Sequence, residues 1–331
     1  MSSRIVWEDD FRDGFAIEGA HPRWTYAAVG PHTPTDAVVT ATPKGLRVAA
    51  GGVNKETGAP AFTLTLPQEK NGDDLPGALD HIKWLAYASH QTPSEPAGFE
   101  VESGRELAFH AWMSGETYGT KGHPFGDAVH DPESDMRLGA AAMNVMDAAS
   151  GQVFDFLITN ERIYAVYERL PMLRAHLGDY ASFTTAIPVV NRSPQEEHHL
   201  TIAYDAEQGA ARWLVDDAEV HRVTQVGHRP ERSHMLLDHG GQDALVTPSR
   251  LHGGFGLVTL LDGALRGGPG LVRISGADDF YFHPGKGAPH TQTFVDDASR
   301  PDSRLFGQGA ALRVRRFAVE SRTTQAAPAE H

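Results

Sequence analysis

The segment His199–Val223, HLTIAYDAEQGAARWLVDDAEVHRV, decides the fold class. It contains three short runs of alternating apolar and polar residues, separated by turn sequences at Asp205–Gly209 and Asp216–Asp217. Alternation with a period of two residues is typical of β-strands that bury one face. Because short turns join neighbouring antiparallel strands, the segment predicts a three-stranded meander.

The same strand pattern recurs outward in both directions, bounded by Gly, Pro, Asn and Asp. Helical turns are expected only near Asp80–Ser89 and Leu170–Leu177. Without alternating strands and helices a parallel sheet is not expected, so the chain is predicted to form an all-β, antiparallel sandwich with long loops and a few short helical turns. The clearest further strand candidates are Ala37–Ala41, Leu46–Ala50, Ala61–Leu66, Glu106–Met113, Val153–Thr159, Arg162–Arg169, Gly256–Leu261, Leu271–Ile274 and Ala311–Glu320.

The meander resembles one found in the concanavalin A-like lectin/glucanase superfamily, and the matching residues are Tyr204, Asp205, Trp213, Val215, Asp216 and Val220. The opening segment Trp7–Phe11 and the closing segment Gly309–Val319 agree with this resemblance, since the first and last strands of that superfamily often lie together. The resemblance implies a jelly-roll sandwich and leaves the function open.

The domain organisation is predicted to be simple. A length of 331 residues would allow two domains at about 150 residues each, but β-sandwiches often reach larger sizes as one unit. No long, compositionally biased linker divides the chain. We expect one large sandwich over residues 1–322 and a flexible tail over residues 323–331.

Composition excludes several function classes. The net charge of −14 opposes binding to nucleic acid, which normally needs a basic surface. No apolar window approaches a membrane span, and no signal peptide is apparent, so a cytoplasmic location is expected, with secretion after removal of a signal left open. The absence of cysteine excludes disulfides, thiolate nucleophiles and cysteine-bound metals.

No cofactor is expected, because the familiar nucleotide, phosphate and metal motifs are missing from the sequence. One alternative is calcium at the acidic loop Asp127–Asp135, whose carboxylates are ligands that this ion accepts. The loop lacks the spacing and the glycine of an EF-hand. A solvated acidic loop is the preferred interpretation.

Two consecutive predicted strands carry residues that could form a carboxylate site. Alternation places Asp155 on the face of its strand opposite Phe154 and Phe156, so a carboxylate whose pKa is raised by an apolar surrounding could act as an acid or base. The following strand carries Glu168, a further candidate catalytic residue, and Tyr164, a candidate substrate contact. The alternative is an Asp155 that pairs with an arginine or lies on a solvated face.

A second candidate region is the polar and aromatic segment Phe109–Phe125. His110 and Trp112 are two residues apart and share a strand face. Glu116, Tyr118 and His123 follow them in the sequence and are also candidate ligand contacts. A core tryptophan beside a hydrogen-bonded histidine is the alternative. His252, at the glycine-rich entry to an apolar strand, is a further candidate general base.

These residues lead to three functional hypotheses. The first is an enzyme that acts on a small or cyclic organic substrate, sugar-like compounds included, by carboxylate and histidine acid–base chemistry in a cleft of the sandwich. The second is a noncatalytic, lectin-like module that binds a saccharide through Trp112 and Tyr118. The third is a glycoside hydrolase or polysaccharide lyase, which is disfavoured because the E-x-D-x-E carboxylate triplet of lectin-fold glucanases is missing. The first is preferred.

Overall fold

The computed structural model describes residues 2–28, 33–50, 82–90, 97–123, 129–259, 262–264, 270–272, 294–296 and 309–324. Within these ranges the chain forms two large, predominantly antiparallel sheets that pack face to face. The all-β sandwich predicted from the alternating runs is therefore confirmed. The predicted strand Ala61–Leu66 and most of the C-terminal tail lie outside the described residues.

The first sheet, called sheet A, has eight strands. Its strand order is β14-β13-β12-β7-β20-β4-β3, and β1 pairs with β20 beside β4. The strands are β1 (Ser3–Asp9), β3 (Val38–Thr42), β4 (Gly45–Ala49), β7 (Arg105–Tyr118), β12 (His198–Asp205), β13 (Ala210–Val215), β14 (Ala218–Val223) and β20 (Gly309–Thr323).

The second sheet, called sheet B, has nine strands. Its order is β15-β11-β10-β9-β8-β16-β5-β2, and β6 pairs with β16. The strands are β2 (Trp24–Tyr26), β5 (Ile82–Ala88), β6 (Phe99–Glu100), β8 (Ala140–Asp147), β9 (Gln152–Ile158), β10 (Arg162–Arg169), β11 (Phe183–Asn191), β15 (Met235–Asp238) and β16 (Arg250–Val258).

The remaining elements are short. A small sheet contains β17 (Asp262–Ala264), β18 (Gly270–Val272) and β19 (Phe294–Asp296). The helical segments among the described residues are 3-10 turns at Thr120–Gly122, Pro171–Leu173 and Arg232–His234, with α1 at Arg174–Leu177. None of the helices in the described ranges has the length and apolarity needed to cross a membrane.

The predicted meander is present as β12, β13 and β14, which pair in sequence. Asp216 and Asp217 both have positive φ, at 51° and 67°. This conformation matches the two-residue turn whose twist suits antiparallel strands. The first and last long strands also lie together as expected, since β1 pairs with β20 from Ser3 opposite Arg322 onward.

One local prediction was wrong. The segment near Asp80–Ser89 was expected to be a helical turn, but β5 runs from Ile82 to Ala88. Trp84, Ala86 and Ala88 point into the core between the sheets, as the two-residue period of a strand requires. The second expected helical segment is confirmed by the turn at Pro171–Leu173 and by α1.

The core lies between the two sheets. On β7 of sheet A, Phe109, Ala111 and Met113 face inward, and on β9 of sheet B the alternating residues Phe154 and Phe156 meet them. The residues between these positions on each strand must therefore point to the outer faces of the sandwich. Polar side chains on β9 and on β7 consequently face opposite ways.

Candidate active site

The carboxyl group of Asp155 lies on the outer face of sheet B. Every residue of β9 is buried, and Phe154, Phe156 and Ile158 fill the core between the sheets. Asp155 projects to the other side with only 8% of its surface exposed. This placement follows the face predicted from strand alternation, and it puts an ionisable group against apolar neighbours.

Neutral polar groups extend the site toward β5. Asn144 on β8 lies directly opposite Asp155, and its Nδ2 donates to Asp155 Oδ1 at 2.7 Å. The Tyr87 hydroxyl donates to Asn144 Oδ1 at 2.6 Å. Gly254 on β16 pairs with both Asn144 and Tyr87, and a β-carbon there would clash with the Ala86 carbonyl oxygen. Glycine thus lets the strands approach beneath the Tyr87–Asn144 bond.

Glu168 supplies a second carboxyl group on the same face. Val166 lies directly opposite Asp155, and Glu168 is two residues further along β10. The two carboxyl-bearing residues are therefore diagonal neighbours, whose α-carbons are about 7–8 Å apart in an antiparallel pair. Thr184 lies opposite Glu168 on β11, and its Oγ1 donates to Glu168 Oε2 at 2.7 Å.

These polar groups open into a cavity of about 330 Å³. A cavity of this size is in the range that holds a small organic molecule. Its walls are mostly aliphatic, and the lining includes Leu85, Met136, Ala142, Met146, Val153, Leu157, Val166, Leu170, Met172, Leu173 and Val258, together with the polar residues Tyr87, Asn144, Asp155, Glu168 and Thr184.

Burial changes the ionisation of both carboxyl groups. Desolvation raises the pKa of Glu168 to about 6, although the hydrogen bond from Thr184 acts in the opposite direction. Desolvation, and then the charge of Glu168, raises the pKa of Asp155 well above its ordinary value. The pKa of the Tyr87 phenol is also raised, by burial and by the two carboxylates. The pair consequently retains a proton where ordinary carboxyl groups have lost theirs.

Replacing Thr184 with valine tests whether its hydroxyl group donates to the Glu168 carboxylate. Valine removes the hydrogen bond that favours the carboxylate, so the pKa of Glu168 should rise by up to about one unit. Carbon-13 NMR titration of the glutamate carboxyls would measure the change. Thr185→Val is the matched control, since the Thr185 hydroxyl donates to the Tyr167 carbonyl oxygen instead. An unchanged Glu168 titration in Thr184→Val would contradict the assigned contact.

The structure does not bring His110 to this cavity. His110 lies on the outer face of sheet A, where its Nδ1 is 3.0 Å from His199 Nε2 and its Nε2 is 3.2 Å from Glu320 Oε2. Burial, followed by the charge of Arg322, lowers the pKa of His110 to about 4. His110 and Asp155 are thus on opposite sides of the sandwich and cannot contact one substrate molecule.

Trp112 also belongs to the outer face of sheet A. Its ring stacks on His199 with centroids 4.2 Å apart and planes 2° from parallel. The Arg316 guanidinium lies 4.9 Å from the ring centroid. His199 and Arg316 come from β12 and β20, the strands on either side of Trp112. The ring is therefore already packed against side chains of its own sheet.

The remaining predicted contacts are dispersed. Glu116 is half-buried with its carboxylate 3.8 Å from the Arg47 guanidinium, while the Tyr118 hydroxyl donates to the Ala50 carbonyl oxygen. His123 follows the turn at Thr120–Gly122. None of these three residues lines the cavity beside Asp155 among the described residues.

Two predicted residues do share the outer face of sheet B. Tyr164 lies further along β10, buried, with its hydroxyl donating to the Ser134 carbonyl oxygen at 2.7 Å. His252 packs beside Tyr87 with ring centroids 5.9 Å apart, and burial lowers its pKa. Both flank the cavity and neither is among its lining residues.

The acidic loop proposed for calcium is engaged with protein partners where it is described. Asp135 forms an ion pair with Arg137 at 2.5 Å, and Glu133 accepts hydrogen bonds from Thr120 and Asn160. Asp127 lies outside the described residues. Within the described residues, no group of three or more His, Asp or Glu side chains is arranged to hold a metal ion.

Sequence reasoning missed Tyr87, Asn144 and Thr184. Asn144 had a usable signal, because it interrupts the apolar run of β8 with a single amide. Tyr87 was hidden by the interpretation of its segment as a helical turn. Thr184 has no signal of its own, because its role depends on which strand pairs with β10.

The fold and the site together define this protein as a β-sandwich in which a buried aspartate and a half-buried glutamate face a small, mostly apolar cavity. The chain belongs to a family of unknown function, DUF6081, whose model matches residues 8–323. It is similar to the uncharacterized protein L829 of Acanthamoeba polyphaga mimivirus, with 25% identity in an alignment that covers 77% of this chain and 78% of the relative.

Three solved structures show how the fold compares. The endo-β-1,3-glucanase from Pyrococcus furiosus has 12% identity and a TM-score of 0.45, with 98% of this chain and 96% of that chain covered. The alginate lyase A1-II′ has 9% identity and a TM-score of 0.44, with 88% and 86% covered. The Crh5 transglycosylase in complex with NAG has 11% identity and a TM-score of 0.39, with 98% and 85% covered.

These three neighbours are a glucanase, a polysaccharide lyase and a transglycosylase. Because each of their TM-scores is below 0.5, no activity is transferred from them to this chain.

Proposed function

We propose that this protein catalyses proton transfer on a small, largely apolar organic molecule bound in the cavity of sheet B. Glu168 is the general base and Asp155 the general acid. The observation that carries the proposal is the pair of carboxyl groups on adjacent strands, Asp155 buried and Glu168 half-buried, facing a cavity of about 330 Å³ with aliphatic walls.

The two carboxyl groups influence each other's ionisation. Glu168, with a pKa of about 6, is mostly ionised at neutral pH, and its charge helps to raise the pKa of the neighbouring Asp155, which favours Asp155 as the proton donor. Two carboxyls whose environments separate their pKa values can act as acid and base together. Because the groups are coupled, an experiment will report the titration of the pair.

The cavity walls would exclude water from the transferred proton and hold the apolar body of the substrate. Tyr87 and Asn144 would orient Asp155 through their chain of hydrogen bonds. Thr184 would fix the Glu168 carboxylate from the other side. Acid–base chemistry is strongest when such groups are held within hydrogen-bond reach of the reacting atoms.

Ring opening of a nitrobenzisoxazole tests this base directly, because the probe requires only a carboxylate in an apolar cavity. The carboxylate removes the ring C–H proton, the C–H electrons form the nitrile as the N–O bond breaks, and a coloured cyanonitrophenolate is released. The reaction is much faster in such a cavity than in water, because desolvation raises the basicity of the carboxylate. We expect the protein to exceed free acetate at equal concentration and pH.

Glu168→Gln should lower this rate at least tenfold, because glutamine cannot accept the proton. Glu219→Gln is the matched control, since Glu219 is on β14 of sheet A and pairs with Arg222. It should retain the rate. A rate no higher than that of acetate, or full activity in Glu168→Gln, would refute the proposed base.

A further inference from the structure

Carboxyl groups with little exposure elsewhere in the described residues have two kinds of partner. Asp147 and Asp205 accept hydrogen bonds from backbone N–H groups or a hydroxyl group of their own turns. Others have a cation: Asp135 lies 2.5 Å from Arg137, Asp238 lies 3.2 Å from Arg232, and Asp36 lies 2.6 Å from Lys83. Buried charges are normally paired in this way, since an unpaired charge is costly away from water.

Asp155 and Glu168 have neutral partners instead. The hydrogen bonds that favour their charged forms come from the Asn144 side chain, the Val145 backbone and the Thr184 hydroxyl. No Lys, Arg or His is among the described residues that line the cavity. When Glu168 is ionised, the site therefore presents a negative charge to an apolar space, without a cation from the described residues that line it.

A ligand can supply that cation. The cavity walls require an apolar body, because Leu, Val, Met and Ala side chains offer no hydrogen bonds to a polar one. The carboxylate end requires a donor with positive charge, since a charged pair is stronger where water is excluded. An anionic ligand, such as a uronate or a phosphate, would be repelled by the same group.

We infer that the cavity binds a small apolar ligand that carries a protonated amine, with the ammonium group placed against Glu168. This inference rests on the proposed acid–base site and specifies the class of its substrate. The apolar part of the ligand would contact the side chains at Met136, Met146 and Leu157.

Calorimetric titration with benzylammonium and with benzyl alcohol provides the test, because the two probes differ mainly in charge. At about pH 8 the wild-type protein should bind benzylammonium at least tenfold more tightly than benzyl alcohol, a difference of about 1.4 kcal/mol. At about pH 4.5, where Glu168 takes up a proton, the preference should fall toward unity. Thermal melting would confirm that each protein is folded.

Two variants test whether the preference for benzylammonium over benzyl alcohol arises in the cavity. Glu168→Gln should bind both probes with similar affinity, whereas Glu219→Gln should keep the wild-type preference. Equal affinity of the two probes for the wild-type protein, binding of neither probe, or a preference that survives in Glu168→Gln would overturn the inference. Ammonium preference without ring-opening activity would refute only the proposed catalysis, and activity without the preference would refute only the ligand class.

Discussion

Trp213→Ala is expected to lower the free energy of unfolding by about 3–5 kcal/mol, the usual cost of removing a buried aromatic side chain. Trp213 is fully buried on the inner face of sheet A, where its ring meets Phe154 of sheet B edge-on with centroids 5.7 Å apart. Its Nε1 donates to the Asp155 backbone carbonyl oxygen at 2.9 Å. The variant would therefore open a large cavity and detach β13 from the strand that carries Asp155.

Urea denaturation of two further variants would separate these contributions. Trp213→Phe keeps most of the apolar volume but leaves the Asp155 carbonyl without its donor, which should cost about 1–3 kcal/mol. Trp112→Ala is the matched control, because Trp112 is only partly buried on the outer face of sheet A. Equal losses for Trp112→Ala and Trp213→Ala would contradict the assignment of Trp213 to the core.

Glu168→Gln is expected to stabilise the protein at about pH 8, by about 2 kcal/mol relative to its effect at about pH 4. The folded pKa of Glu168 is about 6, above the ordinary value of 4.5. A raised pKa means that the folded state holds the proton more tightly, so this stabilisation is complete below the unfolded pKa. It is lost as the pH rises through about 6.

Glutamine keeps the shape of the side chain but has no proton to lose, so the variant avoids that loss. Denaturation curves at the two pH values would measure the difference. Glu106→Gln is the matched control, because Glu106 is buried on sheet A in an ion pair with Arg212. It should destabilise the protein at pH 8, since the arginine loses its partner. Destabilisation by Glu168→Gln at about pH 8 would mean that Glu168 has a structural cation partner.

Stabilisation by Glu168→Gln would also agree with the proposed function. A carboxylate held in an apolar site is unfavourable to folding, and such cost is common where a group is poised for chemistry or binding. Gain of stability combined with loss of ring opening and of ammonium preference would assign all three effects to one side chain.

The fold could be predicted largely because strand patterns are local. Alternation identified β12, β13 and β14, and it assigned Phe154 and Phe156 to one face of β9 and Asp155 to the other. The segment that became β5 was misinterpreted because a short run that is apolar at nearly every position, as from Trp84 to Ala88, does not distinguish a buried strand from a helical turn. Pairing of β5 with β16 selects the strand, through hydrogen bonds to residues far away in the sequence.

The candidate site was predictable only in part. Asp155 and Glu168 were recognised as carboxyls on consecutive strands, but the sequence does not show which neighbours complete their surroundings. Asn144 and Thr184 contact them because β8 pairs with β9 and β11 pairs with β10. Tyr87 contacts Asn144 because β16 brings β5 to β8 across a glycine.

From its residues alone, this protein is recognisable as a cysteine-free, acidic β-sandwich with an isolated carboxyl on an apolar strand. Tertiary structure is responsible for the separation of His110 from Asp155 and for the joining of Asp155 to Glu168, Asn144 and Tyr87. The physical reason is that side-chain alternation is a local property with a period of two residues. The sheet that a strand joins depends on hydrogen bonds between distant strands, and that sheet decides which side of the sandwich the strand's outer residues face.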